Sequence, residues 1–444
     1  MKILGIIAEY NPFHNGHFYH LSEAKKVTQA DYVVAVMSGN FLQRGEPAII
    51  NKWIRAEMAL NSGIDLVIEL PFVFSTQDAN GFAFGAVKLL DSLQIIDYLC
   101  FGCETADLDI LYPISKFLQI EKQEYKEIIK QKCKNGYEYP RARAQALCEY
   151  HKTFGIENLK KLSPSRLREI LNYPNNILAL EYIKHLLNLN SKIVPVPIKR
   201  IGANYHQQTL SGNISSATSI RNDIMNNFLS SGYNLSNLGP KIKQAIPSST
   251  YSLLEKEFKE GRNPITFESY EQYILGILRK MSLEDILHIN GVNEGLENRI
   301  KKASLKSSTV EQLINSIKTR RYTRTKIQRI LLHTMMGLTK DELVYFNKLG
   351  PPYIRVLGFS KKGKKVLRII KKNSTIPLVT KLSNYLKKIN FYKNSDNEML
   401  LKMLNLDILS TDIYVLGYRE EKDRIARLDF THKIIRKTCT SENG

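Results

Sequence analysis

The stretch Ile3-Leu4-Gly5-Ile6-Ile7-Ala8-Glu9-Tyr10-Asn11-Pro12-Phe13-His14-Asn15-Gly16-His17-Phe18-Tyr19-His20 decides how this chain is read. Ile3 to Ala8 is a short apolar run with no polar face, as a parallel strand buried on both sides requires. Asn11-Pro12 ends it, because the residue before a proline avoids the helical region. Phe18, Leu21 and Ala24 then recur at helical spacing, so a helix is expected to begin near His17. Strand, tight turn and helix N-terminus leave backbone N–H groups free at the positive end of a helix dipole, which suits an anion. His14 and His17 flank Gly16, whose missing side chain lets a base or a phosphate approach the backbone. Imidazoles placed there can donate hydrogen bonds to oxygens that gain charge when a bond to an α-phosphorus breaks.

The same alternation continues outward. Tyr32 to Met37, Asp65 to Leu70 and Ile96 to Phe101 read as further apolar strands, separated by helical stretches at Asn51–Asn61 and up to Leu93. Continuous apolar strands alternating with helices predict a parallel sheet covered on both faces, with ligands beyond the strands' carboxyl ends. His14, Ser38-Gly39-Asn40 and Gly102 all fall at those ends. Residues 107–189 read as mostly helical and charged, and Ile193 to Ile198 as an edge strand because of its two prolines. Ser215 to Arg221 opens another helix with hydroxyl caps. The Ser-, Asn-, Gly- and Pro-rich segment from Ser230 to Pro247 predicts a boundary. Helices follow to about Phe346, then a mixed α/β stretch after Pro351-Pro352 and a frayed Ser-Glu-Asn-Gly tail.

With 444 residues, two or three domains are expected, and 43% apolar residues suffice for packed cores. No apolar run approaches the ~18 residues that would cross a bilayer, and no signal-peptide layout opens the chain. Five cysteines, an odd number, fit a reducing cytoplasm better than a disulfide framework. The net charge of +21 implies a polyanionic partner. That charge is concentrated: Lys318 to Lys372 holds 16 basic and 2 acidic residues, a net of +14.

Four local patterns carry the remaining chemistry. Ser216-Ala217-Thr218-Ser219-Ile220-Arg221 puts hydroxyls at a helix start and an arginine one turn on, a phosphate cradle with a charge-assisted grip. Ser38 to Pro47 is a polar, glycine-bearing run at the ligand edge, with Lys52 and Arg55 on the next helix. It reads as a substrate loop presenting Ser38, Gly39, Asn40, Gln43 and Arg44. Cys100-Phe101-Gly102-Cys103 lacks the second ligand pair that zinc needs, and no metal ligands are assigned. Gly358 to Lys365 nearly spells a P-loop, but Lys365 stands where Ser or Thr would hold magnesium. Its Lys361, Lys362, Lys364 and Lys365, with Arg320, Arg321, Tyr322, Arg324, Lys326 and Arg329, read instead as a surface that tracks phosphates and stacks one base.

His14-Asn15-Gly16-His17 resembles one signature of the HIGH-motif nucleotidyltransferase superfamily, and Ser216-x-Thr218-x-x-Arg221 resembles the other, in the correct order. The longer matches are more specific. Ala8 to His17, Met37 to Ala48, Phe101-Gly102-x-Glu104, Pro174 to Leu178, the turn at Ser215 to Arg221, and Arg320 to Arg324 together resemble the bacterial tRNA(Met) cytidine acetate ligase family over nearly the whole chain.

The resemblance implies a Rossmann-like nucleotidyltransferase domain over residues 1–235. A basic, largely helical tRNA-binding domain with a smaller α/β part would follow over 236–444. It implies activation of acetate with ATP to acetyl-adenylate, then acetylation of the exocyclic amine of the wobble cytidine of elongator tRNA(Met). It places ATP along Ile7 to His20 and at Gly102, Asn175, Arg200, Ser216 and Thr218, with Asn176 as the neighbouring alternative to Asn175. His14, His17 and Arg221 would act on the reacting phosphate, and magnesium is expected on the pyrophosphate oxygens. Two other readings stay open: a small-molecule adenylyltransferase of the same superfamily, and a non-catalytic RNA-binding protein on this scaffold. The first has no use for the +14 segment, and intact signature residues oppose the second.

Overall fold

A computed structural model describes residues 1–201, 214–230, 238–262, 264–389 and 395–437. Cys439 and the last four residues lie outside the described residues, as does part of the expected boundary segment, 231–237. Five parallel strands form the first part of one sheet: β1 (Ile3–Ala8), β2 (Tyr32–Ser38), β3 (Leu66–Leu70), β4 (Tyr98–Cys103) and β5 (Val194–Lys199). Their order is β5-β4-β1-β2-β3, so the chain leaves β1 in one direction and returns to its other side at β4. Crossovers in opposite directions open a crevice at the carboxyl ends of β1 and β4, where open α/β sheets take their ligands.

The strands are apolar throughout because both faces are covered. Ile3, Val34, Val36 and Ile68 join one core, and Leu4, Ile6, Val33, Ala35, Met37 and Val67 join the other. Successive side chains alternate between the two faces, so each strand feeds both cores at once. The first helix, α1, spans Asn15–Thr28, and the second, α2, spans Lys52–Asn61.

The sheet does not stop at the expected boundary. β6 (Ile354–Ser360) lies antiparallel beside β3, and β7 (Leu378–Val379) and β8 (Ile435–Lys437) both pair with β6. Strands from either side of residue 235 therefore share one sheet. A cluster of buried charges sits at this junction. Lys52 Nζ lies 2.8 Å from Glu69 Oε1 and 2.8 Å from Asp429 Oδ1, and Arg355 Nε lies 3.2 Å from Glu69 Oε2. Arg355 also grips Asp429. Two cations thus face two anions with almost no solvent. A fifth group, Asp407, accepts from Tyr353 Oη at 2.6 Å and from Phe72 N at 2.7 Å, and burial beside Glu69 pushes it up to about 7.

Removing one partner from such a cluster leaves a buried charge uncompensated. Lys52→Met is expected to lower the unfolding free energy by about 3–5 kcal/mol, measured by urea unfolding at pH 7. A loss below about 1 kcal/mol, the value of an exposed pair, would contradict this account of the junction.

Candidate active site

The corner begins where β1 ends. Ile7 and Ala8 are its last residues, Glu9 to Pro12 form the turn, with Tyr10 at φ 48° and a cis bond between Asn11 and Pro12, and Phe13 is buried. The helix starts earlier than the spacing of its apolar residues implied: His14 is its cap, not the residue three before its start. The reason is local. His14 Nδ1 accepts from Gly16 N at 3.0 Å, and His17 Nδ1 accepts from the His14 backbone N–H at 3.3 Å. Two imidazoles thus form the reciprocal capping box usually made by a hydroxyl and a carboxylate. Their rings stack with centroids 3.7 Å apart.

That arrangement fixes chemistry as well as shape. With each Nδ1 accepting from the backbone, the neutral rings carry their protons on Nε2, so each keeps one N–H to donate. Burial, then the charges of Arg200 and Arg221, holds His14 down to about 3, and burial with Arg200 holds His20 down to about 4. His17 is likewise held well below its ordinary value, by burial first and then by His14 and Arg200. All three are neutral donors at pH 7. Gly16 also has an internal reason to lack a side chain, since a Cβ there would meet His14 Cε1 at 2.8 Å.

The neighbouring strand ends complete the corner. Gly102 lies on β4, and a Cβ on it would meet Arg200 Cγ at 3.4 Å and His20 Cδ2 at 3.6 Å. Arg200 follows β5 and is tied down by its own N–H to Cys103 O at 3.0 Å. His20 Nε2 is buried and has no hydrogen-bond partner among the described residues. Beside Gly102, Glu104 organises the start of the helix Pro174–Asn188. It accepts from Asn175 Nδ2 at 2.6 Å and from Asn176 N at 3.1 Å. Asn176 is wholly buried and committed, its Oδ1 accepting from the N–H groups of Glu104 and Thr105 and its Nδ2 donating to Thr105 Oγ1 and Ile170 O. Asn175 is the partly exposed member of the pair.

The second signature docks on the first. Ser216 Oγ accepts from Ser219 N at 3.1 Å at the head of the helix Ala217–Ser230. One turn on, Arg221 donates to Asn11 O at 3.0 Å, to Glu46 Oε1 at 3.3 Å and to Thr218 Oγ1 at 3.5 Å. Segments 210 residues apart thus meet on one turn.

The loop after β2 is more inward than its polarity implied. Ser38 and Asn40 are buried, and Asn40 accepts from Lys52 N at 2.8 Å while donating to Thr411 Oγ1 at 3.2 Å. Gly39 leaves room for Glu69 Oε1, which a Cβ would meet at 2.7 Å. Gln43 N donates to Glu9 Oε1 at 2.8 Å, and Arg44 lies close enough to stabilise that carboxylate. Lys52 and Arg55, on the helix that follows the loop, are fully buried. Arg55 donates to the carbonyls of Glu9 at 2.6 Å, Ser38 at 3.1 Å and Ile50 at 3.1 Å, and also to Gly39 O.

The family model for HIGH nucleotidyl transferases matches residues 1–428. The tRNA(Met) cytidine acetate ligase of Acetivibrio thermocellus is 44% identical over 98% of this chain and all of its own length, and that of Halothermothrix orenii is 43% identical over the same shares. The crystal structure of Thermotoga maritima TmcAL without ligand superposes with a TM-score of 0.90 at 35% identity, covering 98% of this chain and 99% of that one. The same protein bound with α-thio ATP gives 0.88 at 35% identity, covering 98% and 100%. This chain belongs to the tRNA(Met) cytidine acetate ligase family.

Within this family member the two basic segments lie at opposite ends of the sheet. Arg320, Arg321 and Tyr322 lead into the helix Arg324–Met336, which packs beside the loop after β2 at the carboxyl end. Arg320 and Arg321 are exposed, Arg324 pairs with Glu311 at 2.6 Å, and Lys326 Nζ sits 5.0 Å above the Tyr322 ring. Lys361, Lys362, Lys364 and Lys365 are exposed at the start of the helix Lys361–Asn373. Ser360, its cap, is bonded to Asp65 at the amino end of β3. The sheet separates these lysines from the corner. Among the described residues no three His, Cys, Asp or Glu side chains are grouped to hold a metal ion. Glu9, Glu46 and Glu104 are engaged with Gln43 N, Arg221 and the Asn175–Asn176 pair, so among the described residues the corner presents no ready set of carboxylates for magnesium.

The neutral state of the corner histidines can be checked directly. In the ligand-free protein, NMR titration of the imidazole Cε1–H resonances is expected to leave His14 and His20 uncharged down to pH 5. Midpoints near 6.5 would contradict the burial and cationic surroundings described above.

Proposed function

We propose that this chain joins acetate to ATP as acetyl-adenylate and passes the acetyl group to the exocyclic N4 amine of the wobble cytidine in elongator tRNA(Met). The observation that carries the reading is the meeting of the two signatures, with Arg221 on the Asn11 carbonyl beside the stacked His14 and His17. ATP lies over the turn from Ile7 to His20. Gly102 and Asn175 flank its nucleoside end, Arg200 lies with His14, His17 and His20 at the phosphates, and Ser216 and Thr218 receive phosphate oxygens. Asn176 is left to its structural bonds.

In the first step an acetate oxygen attacks the α-phosphorus, its O–P bond forms, the α–β bridging bond breaks and pyrophosphate leaves. No protein nucleophile is needed, only in-line placement and stabilisation of charge. The Nε2–H groups of His14 and His17 and the guanidiniums of Arg221 and Arg200 supply that stabilisation from fixed positions. In the second step the cytidine N4 lone pair attacks the acetyl carbon, the acyl–phosphate bond breaks, AMP leaves and the amine proton passes to solvent. Magnesium would enter with the triphosphate as its counter-ion, and no step here runs through it. Residues 1–235 carry the nucleotide chemistry, while Arg320, Arg321, Tyr322, Arg324, Lys326, Lys361, Lys362, Lys364 and Lys365 in 236–444 hold the RNA, one group at each end of the sheet. Gln43 and Arg44 face the reacting end, and Ser38, Gly39 and Asn40 fix the loop that carries them.

Incubation with radiolabelled acetate, ATP, magnesium and total tRNA is expected to label one tRNA species, with no label when ATP is omitted. His17→Ala should lower the labelling rate by about 10²–10³-fold, as for loss of one fixed donor to a developing charge. Robust acetate-dependent ATP–pyrophosphate exchange without labelled RNA would instead favour an adenylyltransferase acting on a small molecule.

A further inference from the structure

The loop after β2 is a short hairpin. Ala48 N donates to Asn40 O, Leu42 N to Glu46 O and Gly45 N to Leu42 O, each at 2.9 Å, and Phe41 bridges Pro47. One flank faces the nucleotide corner: Gln43 N donates to Glu9 Oε1 at 2.8 Å, and Glu46 receives Arg221 at 3.3 Å. The tip faces the other way, onto the helix Arg324–Met336. Arg329 donates from Nη1 to Gln43 O at 3.1 Å, and Gly45, at φ 76°, lies so close that a Cβ would meet Arg329 N at 2.4 Å. A peptide with a positive φ and no room for a side chain is docked backbone to backbone. Arg329 thus grips the same residue, Gln43, whose N–H holds the Glu9 carboxylate.

We infer that Arg329 is a positioning residue for adenylation rather than a phosphate contact: it seats the hairpin tip so that Gln43 and Glu46 hold Glu9 and Arg221 in place. This rests on the adenylating reading of the corner. It separates Arg329 from Arg320 and Arg321, which are exposed in the same basic run. It also gives the helix following those arginines a structural connection to the nucleotide corner through one side chain.

The test uses the full chain and three variants, Arg329→Gln, Arg329→Lys and Gly45→Ala. Acetate-dependent ATP–pyrophosphate exchange without tRNA should fall about 10–100-fold in Arg329→Gln, as for a misplacement of reacting groups. Gly45→Ala should fall comparably although it keeps every charge, and Arg329→Lys should recover part of the rate by restoring a donor to Gln43 O. KM for tRNA should change less than about threefold in all three. Amide hydrogen exchange supplies a readout independent of activity: Gln43 and Gly45 should exchange at least about tenfold faster in Arg329→Gln. Wild-type pyrophosphate exchange in Arg329→Gln together with a raised KM for tRNA would overturn the inference, as would unchanged amide protection. Wild-type protein inactive in both exchange and acetylation would defeat the functional reading, leaving amide exchange to judge the docking.

Discussion

The guanidinium of Arg55 is the constraint on which the corner depends. It is fully buried, yet its hydrogen bonds go to carbonyl oxygens: Glu9 after β1, Ser38 and Gly39 at the end of β2, and Ile50 before α2. Parallel strands release their chains at one edge with carbonyls that no further pairing satisfies, and a buried carbonyl without a donor is costly. A planar cation with five donors can satisfy several at once, where lysine would supply a single point of charge. Burial lowers its pKa to about 10, still far above neutrality, so the charge persists. Its field favours the Glu9 carboxylate, which burial otherwise disfavours, and its bonds set the origin of the turn that carries His14.

A second layer of buried charge performs the corresponding task for the chain's two halves. Lys52 is three residues from Arg55 on α2, and its partners Glu69 and Asp429 come from β3 and from the far end of the chain. Through Arg355 on β6 the same carboxylates bind the antiparallel strand that extends the sheet. The helix between these buried cations therefore ties nucleotide corner and C-terminal strands together. Hydrophobic residues of equal volume could replace such a cluster with little loss of stability, whereas a single broken pair would be costly. Its directional bonds favour one register of β6 against β3.

Much of this was legible in the residues. Ile3 to Ala8 had to be a strand with two buried faces, and Asn11-Pro12 had to end it. The Ser216–Arg221 turn was recognisable by its hydroxyls and arginine, although its partner on Asn11 lies far away in sequence. What escaped reading was non-local. β6 joins β3 across nearly three hundred residues, and pairing at that distance leaves no mark in local periodicity. The charges of Lys52 and Arg55, on the helix after the loop, are visible in sequence, while the carbonyls and carboxylates that absorb them are not. The imidazole capping box moved the helix start from His17 to Asn15, since histidine is not the usual cap. The resemblance favours Asn175 with Asn176 as the alternative, and it is the bonds of the Asn176 side chain to Thr105 and Ile170 that leave Asn175 the partly exposed member of the pair.

One measurement tests the central claim most directly. Elongator tRNA(Met) would be incubated with the protein, ATP and acetate, digested with a base-specific ribonuclease, and its anticodon fragment weighed by mass spectrometry. The account predicts that this fragment alone gains the mass of one acetyl group, on its wobble cytidine, only when ATP is present. An acetyl group on another nucleotide or on other tRNAs to an equal extent, or an unmodified fragment despite acetate-dependent consumption of ATP, would contradict it.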